Sequence, residues 1–540
     1  MAVDPITLEV FNHRLGAIAE EMGVALCRSA FSPNIKERRD YSCALFDERG
    51  EMVAQAAHIP VHLGSTPLSV SAAINATAMA PGDVIMLNDP YAGGTHLPDV
   101  TLVAPIFLGR PRKLFGYVAN RAHHADIGGS TPGSMPLATE IYQEGLRLPP
   151  VHLMTAGKLQ DDILTLFMAN TRVADERRGD LMAQLAALRL GQQRVDELVQ
   201  RSGRDATRRA MRALQDYSER LMTTTLRRLR QGRFGAEDFM DDDGTGQRRI
   251  AIRVKVQITG GRAVVDFTGT AQQTAGGINA NEAVTLAAVL YVFQCLAGST
   301  IPANAGLMRP IRVIAPLDTL VNARFPAAVA GGNVETSQRI VDVVLKALAS
   351  AAPGRIPAAS NGSMNNVAMG GFDTIRGREF AYYETIGGGA GAGPTGAGAS
   401  GIHTHMTNTL NTPVEALEAA YPLRISRYGL RARSGGAGRH RGGDGIVREI
   451  EALVPMQVTL LTERRSLRPY GMAGGGSGAA GRNTLTKPRH STVPLPAKVS
   501  FQTVAGDRIC IETPGGGGWG GSAKARTRRR RDPAKQARRI

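Results

Sequence analysis

Apolar residues recur every three or four positions near the start of the chain. Phe11, Leu15, Ile18, Met22 and Leu26 line up on one face, and Pro5 suits a first turn, so the spacing predicts an amphipathic helix over residues 5–30. Ser32, Pro33 and Asn34 break it. Short apolar runs bounded by turn residues follow at 41–47, 52–57 and 83–87, and a helix of small residues is predicted near 66–80. Val100–Leu108 and Leu114–Ala119 flank a Gly-Arg-Pro-Arg turn and read as a hairpin. From 159 to about 232 the helical period returns, predicting a helical hairpin or arm whose many arginines form a solvated face. At Arg249 the period becomes two, and Gly260-Gly261 then turns the chain into Ala263–Thr270, a β-hairpin. Helices are predicted near 281–297 and 337–351, the second with Thr336 or Ser337 as N-cap. Residues 430–520 are β-rich with glycine punctuation, and Gly515–Gly521 reads as a tight turn.

A chain of 540 residues, 43% hydrophobic, is too long for one ordinary domain. The predicted fold class is mixed α/β and multi-domain, with mixed and antiparallel sheets, a long helical hairpin and a β-rich C-terminal region. The expected division is an N-terminal metal-site domain (1–158), a helical arm (159–247), a central α/β domain with a Gly-rich loop (248–425), a β-rich domain (426–521) and a disordered basic tail (522–540). That tail holds nine Lys/Arg against one Asp, so it carries about half of the net charge of +17. A solvated tail explains this more simply than nucleic-acid binding. The four cysteines form no C-x-x-C pair, which argues against a zinc ribbon or a disulfide framework; Cys43 and Cys295 lie in apolar runs and are expected to be buried. The amino terminus lacks the pattern of a signal peptide, and the longest apolar run (283–297) is too short to span a bilayer. A cytoplasmic protein with no membrane segment is expected.

The chemistry concentrates between Asn88 and Gly129. His96 and Asp99 end one loop, and His123, His124 and Asp126 begin the next, with the hairpin between them. Hairpin geometry would set the two loops side by side. Imidazole and carboxylate without thiolate suit zinc, manganese or ferrous iron, and an open position would let a bound water be activated. The bland alternative, histidines capping turns, weakens as they accumulate in one glycine-dense stretch. His58 and His62 sit on an earlier loop with no chemistry assigned. In the run Gly387–Gly396, G-x-G-x-x-G is matched formally, but no helix follows, so a dinucleotide site is rejected; no G-x-x-x-x-G-K-[ST] occurs either. Gly388 and Gly389 would instead allow close backbone approach or an oxyanion-binding loop. His403 and His405 alternate on an extended segment and are expected to share one face.

The segments Asp4–Val10, Lys36–Phe46, Asn88–Asp99, His123–Gly129, Gly332–Arg339, Gly401–Thr409 and Ser434–Gly445 together resemble the hydantoinase B/oxoprolinase (HyuB-like) family. The resemblance covers nearly the whole chain except the tail. It implies a metal-containing B-type subunit of an ATP-dependent hydrolase that opens hydantoin, N-methylhydantoin or 5-oxoproline. Such a subunit works in a hetero-oligomer with a HyuA-like partner that binds ATP. The implied ligands are Asp40, His96, Asp99 and His123, the choice between His123 and His124 being open. Glu37, Glu144 and His124 are the candidate acids and bases, and Asp126, Gly388, Gly389, His403 and His405 the candidates for holding substrate. The alternatives are a ketone carboxylase complex of the acetone/acetophenone type and a non-catalytic scaffold. The chain departs from the family pattern at Thr395–Ser400, where a more polar stretch is expected, which leaves the substrate open.

Overall fold

Residues 41–159 build a seven-stranded antiparallel sheet from β1 (Tyr41–Asp47), β2 (Met52–Gln55), β3 (Val84–Leu87), β4 (Asp99–Leu108), β5 (Lys113–His123), β6 (Val151–Thr155) and β7 (Lys158–Leu159). The spatial order is β2-β1-β5-β4-β3-β6-β7. The computed structural model describes residues 3–56, 59–298, 301–489 and 491–521; the expected basic tail (522–540) and His58 lie outside them. Both faces of the sheet are covered, so its strands read as nearly unbroken apolar runs; every residue of β1 is buried. On one face Cys43, Leu45, Leu102 and Val118 meet Phe11, Leu15 and Met22 of the helix Pro5–Ser29 and Leu181 and Leu188 of the helix Ala174–Ser202. On the other, Ala44, Phe46, Val103 and Ala119 meet Val284 and Ala288 of the helix Glu282–Ala297.

A second sheet, mixed in direction, takes β8 (Gly232–Asp242), β9 (Arg248–Thr259), β10 (Arg262–Asp266) and β11 (Ile311–Ile314), with β10 and β11 parallel. Gly260 and Gly261 both have positive φ (+61° and +86°), the backbone that a two-residue hairpin needs. Two antiparallel sheets complete the chain. One comprises β12 (Asn366–Asp373), β13 (Arg378–Glu384), β16 (Met456–Leu461) and β19 (Lys498–Thr503). The other comprises β14 (Leu423–Arg431), β15 (Gly445–Ala452), β17 (Arg482–Thr486), β18 (Thr492–Leu495) and β20 (Arg508–Glu512). The fold is thus mixed α/β with antiparallel and mixed sheets, as the periodicity predicts.

Several local expectations differ from the structure. The stretch expected as a helical arm ends its last helix at Arg228, and its final residues form β8, whose edge pairs with β9. Nor do the helices Ala174–Ser202 and Arg204–Arg228 have a wholly solvated basic face. Arg177 is fully buried between Glu176 and Asp180, and Asp180 in turn accepts from the amides of Phe31 and Ser32. Neither Thr336 nor Ser337 caps the helix Ser337–Leu348. A π-turn, Gly332–Thr336, feeds straight into it, so the Thr336 hydroxyl bonds to the Ile278 carbonyl and that of Ser337 to the Asn333 carbonyl. Cys43 is buried, but Cys295 is exposed, on the last turn of its helix and away from the packed side.

Gly515–Gly518 is not a tight turn. It is the centre of a bundle of extended glycine-rich segments. Gly516 donates to Gly443 and accepts from Gly436; Gly517 donates to Ala359 and accepts from Ala392; Gly518 donates to Gly476. A Cβ on Gly516 would fall 1.9 Å from the Ala390 carbonyl oxygen, and one on Gly443 1.8 Å from that of Ala399, so only glycine lets these backbones meet.

Candidate metal centre

The antiparallel register of β4 and β5 pairs Asp99 with His123, the first residue of one strand with the last of the other. Period-two alternation then sends His123 and His124 to opposite faces. His123 joins Asp99, while His124 turns to the helical side, where Nε2 lies 2.9 Å from Gln184 Oε1 and the ring meets Phe167 edge-on. Burial pulls the His124 pKa down to about 4.

His96 arrives on the loop that precedes β4. That loop is tied down by buried amides. Asn88 Nδ2 donates to the Leu97 and Leu146 carbonyls, and Asn281 Nδ2 donates to those of Pro90, Gly94 and Thr95 at 2.9–3.0 Å. Asn281 also caps the helix Glu282–Ala297 through Oδ1, so one side chain links the loop to a core helix.

Three buried ligand atoms converge. His96 Nε2 is 3.2 Å from His123 Nδ1, and each is 3.3 Å from Asp99 Oδ1. Asp99 Oδ1 accepts no hydrogen bond despite complete burial, and a buried carboxylate oxygen without a donor calls for a cation. Two imidazoles and one carboxylate form a donor set that suits a borderline divalent metal, so the residues fit such an ion. Asp99 Oδ2 accepts from the Thr95 hydroxyl and faces His62 Nε2 at 3.4 Å; His62 Nδ1 lies 2.9 Å from Ser42 Oγ. Burial pushes the Asp99 carboxyl up, but the imidazoles of His96, His62 and His123 around it outweigh burial and hold the group well below its usual range. Burial also lowers the His123 pKa, which favours neutral imidazole.

The second half of the chain closes the site. The Tyr383 ring stacks on His123 (4.7 Å, 17°), and its hydroxyl donates to Asn366 Oδ1. The Arg38 guanidinium also lies over this ring, 5.0 Å from its centroid, and donates to the Tyr383 carbonyl and the Thr385 hydroxyl. The space left beside the three ligand atoms is about 20 Å³, walled also by Asp40, His62, Asn333, Thr407 and Thr409.

Asp40 lines this space, but its carboxylate stands 3.7 Å from Arg38 and outside the three-atom convergence. Glu37 is half-buried at the end of the one-turn helix Pro33–Lys36 and does not wall the space. Both oxygens of Asp126 are engaged by Gly128, Gly133 and Arg172, which makes it a loop fastener. The Gly388 and Gly389 amides donate to the Ile402 and Pro514 carbonyls, so they are not an oxyanion loop; close backbone approach is their role. His403 and His405 do not share a face, because His405 has φ +59° and the segment is not a strand. His405 Nδ1 is 3.4 Å from the Tyr291 hydroxyl, whereas burial and then Arg38 hold the His403 pKa near about 3. His62 is the neighbour of the site that spacing does not single out. Its sole sequence signal is a polar residue inside the apolar run Ile59–Leu63.

Glu144 is fully buried away from the triad. Oε1 accepts from the amides of Val329 (2.7 Å) and Ala330 (2.8 Å), and burial raises its pKa to about 8. Its folded value lies above the unfolded one, so the fold retains a proton that the unfolded chain releases. The stability linked to it is complete below the ordinary value of 4.5 and is lost as pH rises through about 8. Glu144→Gln is therefore expected to leave the melting temperature unchanged near pH 5 and to raise it near pH 9. Parallel melting profiles for the two proteins across that range would contradict this.

Among the described residues no helix is long and apolar enough to cross a membrane. The hydantoinase B/oxoprolinase family profile matches residues 4–522. The 5-oxoprolinase 1 of Arabidopsis thaliana is 40% identical over 546 residues; the match takes in 96% of this chain but only 42% of that one, so this chain spans about two fifths of its length. A putative B-type subunit of a D-/L-hydantoinase from a Pseudomonas species is 33% identical over 539 residues, covering 96% of this chain and 90% of its own. The crystal structure of an ATP-dependent caprolactamase from Pseudomonas jessenii superposes with a TM-score of 0.90 at 30% identity, covering 98% of this chain and 94% of that one. The chain therefore belongs to the hydantoinase B/oxoprolinase family.

Proposed function

We propose that the chain is the metal-containing B-type subunit of an ATP-dependent cyclic-amide hydrolase, acting in a hetero-oligomer with a HyuA-like subunit that binds ATP. The observation that carries this is the convergence of His96, Asp99 and His123 on one buried space. Similarity to a hydantoinase subunit of the B type and to an ATP-dependent caprolactamase supports the substrate class and the use of ATP. A divalent metal held by these three residues would supply Lewis acidity to a ring carbonyl whose amide resonance makes it a poor electrophile.

The chain's own groups do the rest. Asp99 stays ionised among imidazoles and supplies the one negative charge of the ligand set. His62, braced by Ser42, fixes the orientation of the second Asp99 oxygen. Arg38, fully buried and stacked on Tyr383, places a fixed positive charge close to the site, where developing negative charge on an amide oxygen would be stabilised. The enclosing threonines and Tyr383 keep bulk water out.

The test uses the full chain with its ATP-binding partner. Metal content and ATP-dependent ring opening are compared between the wild type and a His96→Ala, Asp99→Ala double variant. Stoichiometric zinc, manganese or iron, lost in the variant together with ring opening, is expected. Ring opening that survives without metal would refute the assignment, and a strict requirement for bicarbonate would move it to a carboxylase complex.

A further inference from the structure

The groups that converge on the metal centre come from separate pieces of chain. Asp99 and His123 belong to β4 and β5, His96 to the loop before β4, and their neighbour His62 to the one-turn helix Pro60–Leu63. One buried side chain links all of these pieces. Arg121 stands two residues before His123 on β5, so it projects from the same face of the sheet. The register sets it between Thr101 of β4, two residues beyond Asp99, and Ser42 of β1, whose hydroxyl braces His62.

The Arg121 guanidinium is fully buried and grips three hydroxyl oxygens. Nε donates to Thr101 Oγ1 at 2.9 Å, Nη1 to Ser65 Oγ at 2.5 Å and Nη2 to Ser69 Oγ at 2.7 Å. Each serine passes the link on. Ser65 donates to the Val61 carbonyl at 2.9 Å, with that of His62 at 3.3 Å, and so holds the turn that carries His62. Ser69, on the helix Thr66–Ala76, donates to the Gly93 carbonyl at 2.7 Å, in the loop that carries His96. Arg121 is thus one hydrogen-bonded step from β4 and two steps from both the His62 turn and the His96 loop.

Charge makes the grip firm. Among the described residues no carboxylate pairs directly with Arg121; the fold holds this cation on neutral oxygens, and the negative charge that acts on it is that of Asp99, without a direct bond. Breaking one of these bonds strands a donor of a charged group away from water, which costs more than losing a bond between neutral groups. The planar fork also fixes three donor directions at once, which neither lysine nor a neutral side chain of that length does.

We propose that Arg121 is a positioning residue of the metal centre. It fastens the His62 turn and the His96 loop to the strands that carry Asp99 and His123, so that the ligand atoms are held together ahead of the ion. The proposal rests on the metal reading above and adds to it a residue outside the ligand set. Residues that support metal ligands in this way typically contribute about 10–100-fold to affinity.

Cobalt(II) is the probe, because its visible spectrum reports ligand geometry as well as occupancy. Cobalt affinity and spectrum are measured on the full chain for the wild type, Arg121→Met, Arg121→Lys and Ser69→Ala, beside the melting temperature of each metal-free protein. Both Arg121 variants are expected to weaken cobalt binding by about 10–100-fold and to alter the spectrum. Ser69→Ala removes one arm of the link and is expected to weaken binding by about threefold or more, the worth of one hydrogen bond. The double variant Arg121→Met, Ser69→Ala should lose less than the product of the two single losses, since both act through one link. A lowered melting temperature with unchanged cobalt affinity and spectrum would make Arg121 a structural residue only and overturn the proposal. Wild-type affinity in Arg121→Lys would also overturn it, by assigning the effect to charge and not to the fork, as would full additivity in the double variant. Should the Arg121 variants fail to fold, Ser69→Ala decides on the same two readouts. Cobalt bound by none of the proteins, the wild type included, would sink the metal reading and this inference with it. Equally tight binding by the wild type and all variants would sink this inference alone.

Discussion

Under the proposed function, replacing Asp99 with Asn is expected to strip a bound divalent metal and to lower ATP-dependent ring opening by at least about 100-fold, since loss even of a residue that only supports a metal ligand typically costs about 10–100-fold. Asp99 is the only anion in the converging set. Its two oxygens have separate duties: Oδ1 faces His96 and His123, and Oδ2 takes the Thr95 hydroxyl and faces His62. An Asn side chain has the same size but no charge, and its NH2 group must occupy one of these positions. Facing the imidazoles, it replaces a ligand by donors; facing Thr95, it sets a donor against the site of an accepted hydrogen bond. Either orientation fails electrostatically while packing is preserved, so circular dichroism should be little changed. Elemental analysis and turnover with the partner subunit provide the check. Wild-type metal content and turnover in the variant would show that Asp99 is a structural carboxylate only.

The second large effect concerns stability. Gly516→Val is expected to destabilise the fold by more than about 3 kcal/mol, because overpacking against backbone exceeds what side-chain repacking absorbs. A Cβ at Gly516 would lie 1.9 Å from the Ala390 carbonyl oxygen and 2.2 Å from its carbon, and that carbonyl belongs to a segment that is itself hydrogen-bonded on several sides. No flexible side chain is available to yield. Gly393→Ala, nearby in the bundle's own segments, meets nothing within 4 Å and is expected to change stability by no more than about 0.5 kcal/mol. Denaturant unfolding of the pair measures the contrast. Similar midpoints for both would show that the bundle yields to an added side chain.

What the sequence reveals depends on whether a feature is local. The helix Pro5–Ser29, the β9–β10 hairpin and the β4–β5 hairpin follow from spacing and turn residues within about thirty positions, and all are found. The hairpin also carries the meeting of Asp99 with His123, because register follows from the turn between two short strands. His62 is different. It reaches Asp99 through a turn of helix set by packing against the helix Glu282–Ala297, a contact far apart in sequence. The π-turn before Ser337 is invisible for a similar reason: Thr336 and Ser337 look like caps until the Ile278 carbonyl is available to the Thr336 hydroxyl. Cys295 misleads because an apolar run does not say which side of a helix faces a cavity. The glycine runs mislead most, since glycine signals a turn locally and close approach only when the other backbone is known.

The glycine bundle has a consequence for the order in which the molecule can be assembled. Its central segment, Gly515–Gly518, comes last of the described chain, yet the segments around Ala359, Ala390, Gly436, Gly443 and Gly476 all bond to it or close against it. Until it emerges from the ribosome, those earlier backbones lack partners that no other part of the described chain supplies. The β-rich half of the protein is therefore completed only once that segment has been made, through contacts among the most distant in sequence, where folding is slow and exposed edges invite aggregation.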